Sequence, residues 1–509
     1  MLNRFVLACT ISSLVAACGP QDSATGEPGE STTADAPTTA DAPTTADDTT
    51  APTTTAPTGD TTDTTDTTGD TTTADPQPAA CERVEGGDGV DWALRCGGLS
   101  WESVSAIGSD GAGNLLLALD LRALDPVPSF MIGEFEVVPG PASDILLIKL
   151  SSAGEALWVR QITGEGNQYV AAASVCNNGL VIAGSAPVGT DLGGGPLEHE
   201  DFVAAFDGDG QHLWSRSSAV LDDQGHIIVS GLACDDVGNI ALTGQFRGGV
   251  DLGGGLLQPA ELYDAYLVQY GADGSFQWNV KFGAVGYSPF GRAVAYAPNG
   301  DVAVVGSFGD AIDFGGGPLV ADGGDDVVVA RFDAAGTHLW SRQIGPDNLQ
   351  YGKSVAVDAA GQVAIGGIFL LDVEIGADSY TNVFPNADEE EFGTLYDGFV
   401  ALLDPAGEPQ WSTQIGSMLN DEIGNLQFDA GGRLVVRAFS EERHLVRVYD
   451  DMAPTFEWSS DQLQIVDYAL VGEDAIVIAG TAYEDIDLGA GPLTARGDTD
   501  LVIVRLPRP

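Results

Sequence analysis

Tryptophan recurs along this chain at a nearly constant interval. Seven of its eight tryptophans, at positions 92, 158, 214, 278, 340, 411 and 458, are separated by 66, 56, 64, 62, 71 and 47 residues; only Trp101 lies outside the series. The flanking residues recur with them: LSSAGEALWVRQI, FDGDGQHLWSR, YGADGSFQWNVKFG, FDAAGTHLWSRQIG and LDPAGEPQWSTQIG, with looser copies VDWALRCGG and APTFEWSS. Self-similarity at this period signals an array of supersecondary units that bury their apolar faces on one another. An array also accommodates the length, because 509 residues exceed the roughly 250–300 at which a single core stops growing.

Each unit reads as four short strands. In the fifth, YGKSVAVDAAG alternates apolar with small or polar residues and turns at Asp358-Ala359-Ala360-Gly361. QVAIGGIF returns, an irregular loop follows, and DGFVALLDPAG and EPQWSTQIG supply the third and fourth strands. No stretch carries a capped helical period. The ordered part begins with a Trp strand, VDWALRCGG, and ends with a third strand, DTDLVIVRLPRP, that has no Trp strand after it. The first strand therefore supplies what the last unit lacks. The expected fold is an all-β, seven-bladed β-propeller of four-stranded antiparallel blades over residues 81–509, its last blade closed by the N-terminal strand.

Recurrence separates scaffold from chemistry. A catalytic constellation occurs once, whereas FDAAGTHLWSRQIG has five copies, in which His212 and His338 are replaced elsewhere by Ala156, Phe276 or Pro409. The Trp is expected to fill the space between neighbouring sheets, and Asp and Gly of the D-x-x-G turn to serve turn geometry. A second element, DLGGGPL at Asp191, DLGGGLL at Asp251, DFGGGPL at Asp313 and DLGAGPL at Asp487, also recurs. It lacks the following helix and Lys of a phosphate cradle, so its glycines are read as turn glycines. An Asp opens most third strands, at 144, 201, 264, 326, 397 and 500, and is read as a cap or an inter-blade hydrogen bond.

At these residues the chain resembles the bacterial β-propeller repeat proteins called SBBP repeats, whose pattern runs roughly D-x-F/Y-V-A-x-L-D-x-x-G-x-x-x-W and V-D-x-x-G-x-V. Asp397-Gly398-Phe399-Val400-Ala401-Leu402-Leu403-Asp404-Pro405-Ala406-Gly407 up to Trp411 matches the first part, and Val357-Asp358-Ala359-Ala360-Gly361-Gln362-Val363 the second. The resemblance covers about residues 91 to 509 and implies the propeller fold. The sixth unit departs from it, being short and lacking the GGG loop. The chain is also similar to the Trp-bearing repeats of pyrroloquinoline-quinone dehydrogenases. Asp333 to Gly336 is one residue shorter than their docking motif and has no Thr, so no quinone is expected.

The N-terminus is not part of that fold. MLNRFVLACTISSLVAACGP has one early charge, an apolar run and then small residues, the composition of an export signal over residues 1–17. Leu14-Val15-Ala16-Ala17-Cys18 resembles the lipobox of bacterial lipoproteins, which implies a lipid on Cys18 and a membrane anchor. Gly19 after the Cys implies outer-membrane or cell-surface sorting. Residues 18–80 are a Thr-, Asp- and Pro-rich stalk without Lys or Arg after the signal. As a flexible coil this stalk spans about 45 Å.

A formal charge of −55, with Lys at only 149, 281 and 353, argues against nucleic acid as a partner, since phosphate binding needs clustered Lys and Arg. The candidate binding loops are the between-blade segments with Arg292, Asp421 and Glu422 and the acidic insertion Asp388, Glu389, Glu390 and Glu391. No cofactor is expected, calcium at the acidic insertion being the alternative. Cys81, Cys96, Cys176 and Cys234 make an even number in an exported chain. Cys81 with Cys96 would staple the closing strand; Cys176 with Cys234 would link first strands of adjacent units. No H-E-x-x-H, nucleophile elbow or paired metal motif is present. The expected function is a non-catalytic, surface-anchored module that binds a protein or polysaccharide. A funnel-site hydrolase or lyase and a purely structural spacer are the alternatives.

Overall fold

The computed structural model describes residues 79–508 except 88, 99–100, 123–128, 223–224, 261, 284–288, 322, 346–347, 384–394 and 497–498. Cys18, the signal, the stalk and Asp388–Glu391 lie outside the described residues. The described residues form strands and turns, with no helix among them.

Among them, six four-stranded antiparallel sheets and one five-stranded sheet carry the architecture. Sheet I is Trp101–Ser109, Leu115–Arg122, Asp144–Leu150 and Ala156–Ile162; sheet II is Tyr169–Cys176, Gly179–Ser185, Asp201–Phe206 and His212–Ser217. Sheet III is His226–Cys234, Ile240–Arg247, Asp264–Tyr270 and Phe276–Phe282; sheet IV is Phe290–Tyr296, Val302–Phe308, Asp326–Phe332 and His338–Ile344. Sheet V is Gln350–Val357, Val363–Phe369, Asp397–Leu403 and Pro409–Ile415; sheet VI is Glu422–Phe428, Leu434–Ser440, Arg443–Asp450 and Ala453–Ser460. Sheet VII combines Gln464–Val471, Ala475–Ala482 and Asp500–Pro507 with the early strands Val90–Cys96 and Glu82–Gly87. Each recurring Trp sits on the fourth strand of its sheet.

Second and third strands such as Val302–Phe308 and Asp326–Phe332 are buried along their whole length. A strand covered on both faces needs an unbroken apolar run, which is why these segments read VAVVGSF and DVVVARF. The cover comes from neighbouring sheets. Leu116, Leu147, Ile182 and Phe202 form one cluster between sheets I and II. Leu94, Val477, Leu117 and Ile148 form another between sheets VII and I. First strands lie beside the first strand of the next sheet from I through VII, and that of VII lies beside that of I. Full burial of a Leu, Ile or Phe at such a seam contributes about 1.5–3 kcal/mol.

Sheet VII joins chain segments far apart in sequence. Val90–Cys96 runs antiparallel to Asp500–Pro507 with Trp92 opposite Arg505 and Cys96 opposite Leu501. Arg95 is fully buried there; its Nε donates to Asp500 Oδ2 at 2.7 Å, and its terminal nitrogens donate to the carbonyls of Glu484, Leu493 and Ala482. Cys81 is bonded to Cys96 with Cα atoms 4.2 Å apart, and Cys176 to Cys234 with Cα atoms 5.7 Å apart.

Two details differ from the sequence expectation. Sheet VII has five strands, because ERVEGG pairs with Val90–Cys96; its Glu- and Gly-rich sequence hides a solvent-side edge. The loop after the second strand of unit five is a small ribbon, Asp372–Ile375 with Asp378–Thr381; its first strand alternates, with Val373 and Ile375 buried, but is too short to stand out from a loop.

Candidate functional site

The repeated motifs are spent inside the scaffold. The indole N–H of Trp158, Trp214, Trp278 and Trp340 donates to the carbonyl of Gly208, Ala272, Ala334 and Pro405, each in the Gly-ended turn of the following sheet (D-x-x-G, or Gly271-Ala272-Asp273-Gly274 in sheet III), at 2.9–3.1 Å. The turn glycine lies under the indole. Gly336 has φ +80°, and a β-carbon there would fall 2.6 Å from Trp278 Cδ2, so conformation and space both require Gly. The turn Asp is local: Asp333 Oδ1 accepts from the N–H groups of Ala335 and Thr337 at 2.9 and 2.8 Å. In the GGG loops, Asp191 Oδ1 accepts from Gly193 and Gly195 at 2.7 and 2.9 Å, and Asp251 and Asp313 repeat the arrangement. Those amides are therefore occupied and cannot cradle a phosphate.

Asp at the head of the third strand is a cap within its own sheet. Asp144 accepts from Gln161 Nε2 at 2.8 Å and Gly140 N at 3.1 Å; Asp264 accepts from Lys281 Nζ at 3.0 Å. A cleft of about 510 Å³ opens at the turn end between sheets IV and V, lined by Asp301, Arg331, Trp340, Gly361 and Pro405. Arg331 is committed there to Asp301 at 3.1 Å and to the Gly361 carbonyl at 2.8 Å, and the cleft belongs to the seam.

The first strands differ. Each carries a β-bulge at a corresponding position, marked by register shifts at Val104/Ala106, Val170/Ala172, Val229/Gly231, Gly291/Ala293, Gly352/Ser354, Ile423/Leu426 and Ile465/Asp467. The inserted residues are Ser105, Ala171, Ser230, Arg292, Lys353, the Gly424-Asn425 pair and Val466. A bulge re-aims its side chain and frees an amide. Side chains of the preceding sheet take several of those amides: Asp120 accepts from Val170 N at 2.9 Å, Ser354 Oγ from Leu426 N at 3.0 Å and Asp467 from Ile107 N at 3.1 Å. Burial pushes the Asp120 carboxyl up to about 7, against the opposing effect of those bonds.

Arg292 and Lys353 thus hold equivalent positions on adjacent sheets. Lys353 is 3.9 Å from Glu422, the first residue of sheet VI. Burial lowers the Lys353 pKa; Glu422 opposes that shift, while Arg292 and Arg437 reinforce it. Arg437 stands opposite the sheet VI bulge, where a β-carbon on Gly424 would fall 2.1 Å from its guanidinium carbon. Its Nη1 donates to the Ile465 carbonyl at 3.2 Å. The Nε atoms of Arg292 and Arg437 are buried without a hydrogen-bond partner. Burial lowers the pKa of both guanidiniums; Asp467 and Glu422 act against it at Arg437. Asn425 Nδ2 donates to Asp467 at 2.9 Å. Beside Arg292, the Tyr351 hydroxyl is hydrogen-bonded to Asp325, and the Tyr351 and Tyr396 rings lie 6.2 Å apart.

Of the residues singled out from sequence, the structure therefore brings Arg292 and Glu422 to either side of Lys353. Asp421 is fully buried and accepts from Ser417 N at 2.7 Å and Ser417 Oγ at 3.0 Å, which caps the loop before sheet VI. Lys353, Arg437 and Asp467 carried no sequence signal by themselves. The shared pattern of FGRAVAY and YGKSVAV, a Gly then a cation then a small residue, was the available clue. Among the described residues, no group of three His, Cys, Asp or Glu is disposed to hold a metal ion.

No family model matches the chain. A segment of 124 residues, 24% of this chain, is 29% identical to the regulatory protein FlaEY of Caulobacter vibrioides, and spans 12% of that protein's length. Among solved structures, the chain is similar to the Pan2 WD40 domain of Neurospora crassa, with 9% identity, 80% of this chain and 90% of that one covered, and a TM-score of 0.42. It is also similar to the Cps50 (Swd1) β-propeller domain of Myceliophteria thermophila, at 10% identity, 81% and 98% coverage and a TM-score of 0.41. Virginiamycin B lyase of Staphylococcus aureus gives 8%, 80% and 99%, and 0.41.

Proposed function

We propose that the chain is an exported, lipid-anchored binding module without catalytic activity. In this reading Cys18 carries the lipid, residues 18–80 form a stalk, and residues 81–509 form a closed, SBBP-like seven-bladed propeller that holds a protein or glycan. Support for the blade count and closure comes from the cyclic order of the first strands and from the pairing of Val90–Cys96 with Asp500–Pro507. Support for the anchor comes from LVAAC and the stalk composition. The observation that carries the binding reading is a contrast. Repeated polar groups are consumed by neighbouring sheets, whereas Arg292, Lys353 and Arg437 are gathered at bulges with two sealed Nε atoms unpartnered. Partly desolvated charge held open in this way marks a functional site.

The test is retention of the purified full chain on envelope fractions and a polysaccharide panel, with calcium and with chelator. Saturable retention is expected. Absence of retention under both conditions would sink the module reading in favour of a spacer or a funnel-site enzyme. Calcium dependence would assign a metal role to the 388–391 insertion.

A further inference from the structure

We propose that Arg292, Lys353 and Arg437 form a receptor for the carboxylate of a small acidic ligand, entering where the seven first strands meet. This assignment rests on the binding-module reading and names the ligand chemistry of the same site.

The first argument is the economy of charge. The chain carries 20 Lys and Arg against 75 Asp and Glu. Most of the cations serve close pairs, such as Arg95 with Asp500 at 2.7 Å and Lys149 with Asp110 at 3.0 Å. Lys353 meets Glu422 only at 3.9 Å, and neither Arg292 nor Arg437 has a carboxylate within ion-pair distance among the described residues. Arg292 and Arg437 flank Lys353 and both disfavour its charge. Such an arrangement costs folding free energy unless an anion completes it.

The second argument is geometry. At the equivalent bulge positions, sheets I, II, III and VII place Ser105, Ala171, Ser230 and Val466, none of them charged. Positive charge is thus confined to sheets IV to VI, with Arg292 and Lys353 at the bulges and Arg437 on the strand opposite the third. There, two guanidinium Nε–H groups are unmatched and buried beyond a ligand's reach, which leaves the charge on Arg292 and Arg437 poorly solvated, while the Lys353 side chain stays 29% exposed. Guanidinium and ammonium donors suit a carboxylate's two oxygens, which can each accept charge-assisted hydrogen bonds. Gly424 leaves the space that Arg437 needs to lie across the bulge.

Charge type narrows the ligand to an anion. Glu422 stands 3.9 Å from Lys353 and Asp467 acts on Arg437, so the cations are only partly offset by the chain itself. A flat carboxylate with two oxygens matches the paired donors of a guanidinium. The Tyr351–Tyr396 pair beside Arg292 offers ring faces and a hydroxyl to the body of the ligand, as a sugar acid would use.

The experiment uses the full-length chain and galacturonate, with galactose and inorganic phosphate as comparators, followed by titration calorimetry. The same samples are labelled with acetic anhydride and the three lysines read by mass spectrometry. Saturable galacturonate binding is expected, with galactose silent and phosphate weaker. Lys353→Met and Arg292→Met should each weaken binding about tenfold or more, as loss of a charge-assisted hydrogen bond implies. The exposed Arg122→Gln should leave it unchanged. Galacturonate should protect Lys353 from acylation while Lys149 and Lys281 label as before, a readout that stands even where a variant fails to fold.

Absence of saturable heat together with unprotected Lys353 would overturn the proposal, as would undiminished binding in both Met variants. Phosphate binding tighter than galacturonate would overturn the carboxylate assignment. Retention on envelope polysaccharide that galacturonate does not compete, and that the Met variants keep, would remove this site and leave the module reading standing. Loss of both retention and galacturonate binding would remove both.

Discussion

Arg95 and Arg437 both carry a guanidinium into the protein, and they end differently. Arg95, on the closing strand of sheet VII, is fully buried and spends its donors on Asp500 and three carbonyls. Arg437, on the second strand of sheet VI, gives Nη1 to the Ile465 carbonyl while its Nε is sealed without a partner. A buried charge with matched donors is architecture, because its desolvation is offset by the bonds it makes. One that is left unmatched offers its charge to something else. The same distinction separates the Trp-to-turn rungs from the bulge positions 292 and 353.

The comparison can be broken at its strongest point first. Arg95→Met leaves Asp500 buried without its cation and should cost about 3–5 kcal/mol, read as a fall in denaturation midpoint. A loss under about 1 kcal/mol would show that the closing strand does not depend on the pair. In the same seam, replacing Cys81 and Cys96 by Ser should cost about 3 kcal/mol for a loop of this size, with a larger loss expected when the wild type is reduced, because that also opens Cys176–Cys234. Trp340→Phe removes the indole donor to the Pro405 carbonyl and should cost about 1 kcal/mol. Arg437→Met should be the mildest, within about 1 kcal/mol of wild type and of either sign, by thermal melts at low salt. A cost matching that of Arg95→Met would erase the distinction between the two arginines.

Acid provides a finer probe of the same region. Burial, reinforced by Arg437, pushes the His444 imidazole from 6.5 down to about 4. The unfolded chain therefore binds more protons than the folded one between those values, and stability falls as pH drops through that window. Asp120 acts oppositely: its carboxyl rises from 3.8 to about 7, so its contribution is lost as pH rises through that range. His444→Asn should flatten the acid limb, and Asp120→Asn the neutral one, in midpoint-against-pH curves. Unchanged curves in both would remove these groups from the titration.

The all-β class and the strand order within a unit were legible because the same apolar pattern and the same D-x-x-G-x-x-x-W turn repeat. The pairing of the early Trp strand with the last segment followed from phase, as Trp92 lies opposite Arg505. The ribbon at Asp372–Ile375 and the fifth strand at Glu82–Gly87 were not legible, since the alternation of the first is too short to register and the second is a Glu- and Gly-rich edge. The site was half legible. Arg292 and Glu422 were singled out with the between-blade segments, but Lys353 and Arg437 sit inside strands whose apolar pattern continues around them. A bulge leaves no composition signal; it appears only when the units are aligned and one residue has no counterpart across the ladder. Asp421 reads like a free acid in sequence and is a cap in space, because Ser417 four residues earlier supplies both donors.

The pairing of Arg95 with Asp500 spans 405 positions, so the hairpin that carries Arg95 emerges from synthesis long before its partner exists. Closing that span costs only about 3 kcal/mol more than closing a 15-residue one, as loop entropy grows logarithmically. Time is the larger exposure. Until the last strand arrives, Leu94 and Cys96 present an unfilled edge to every neighbouring chain. The Cys81–Cys96 bond needs no such wait, since both sulfurs lie within one hairpin. It can lock the first-made piece into the shape its last-made partner will require, and so shorten the interval in which a half-built molecule can be completed by the wrong copy.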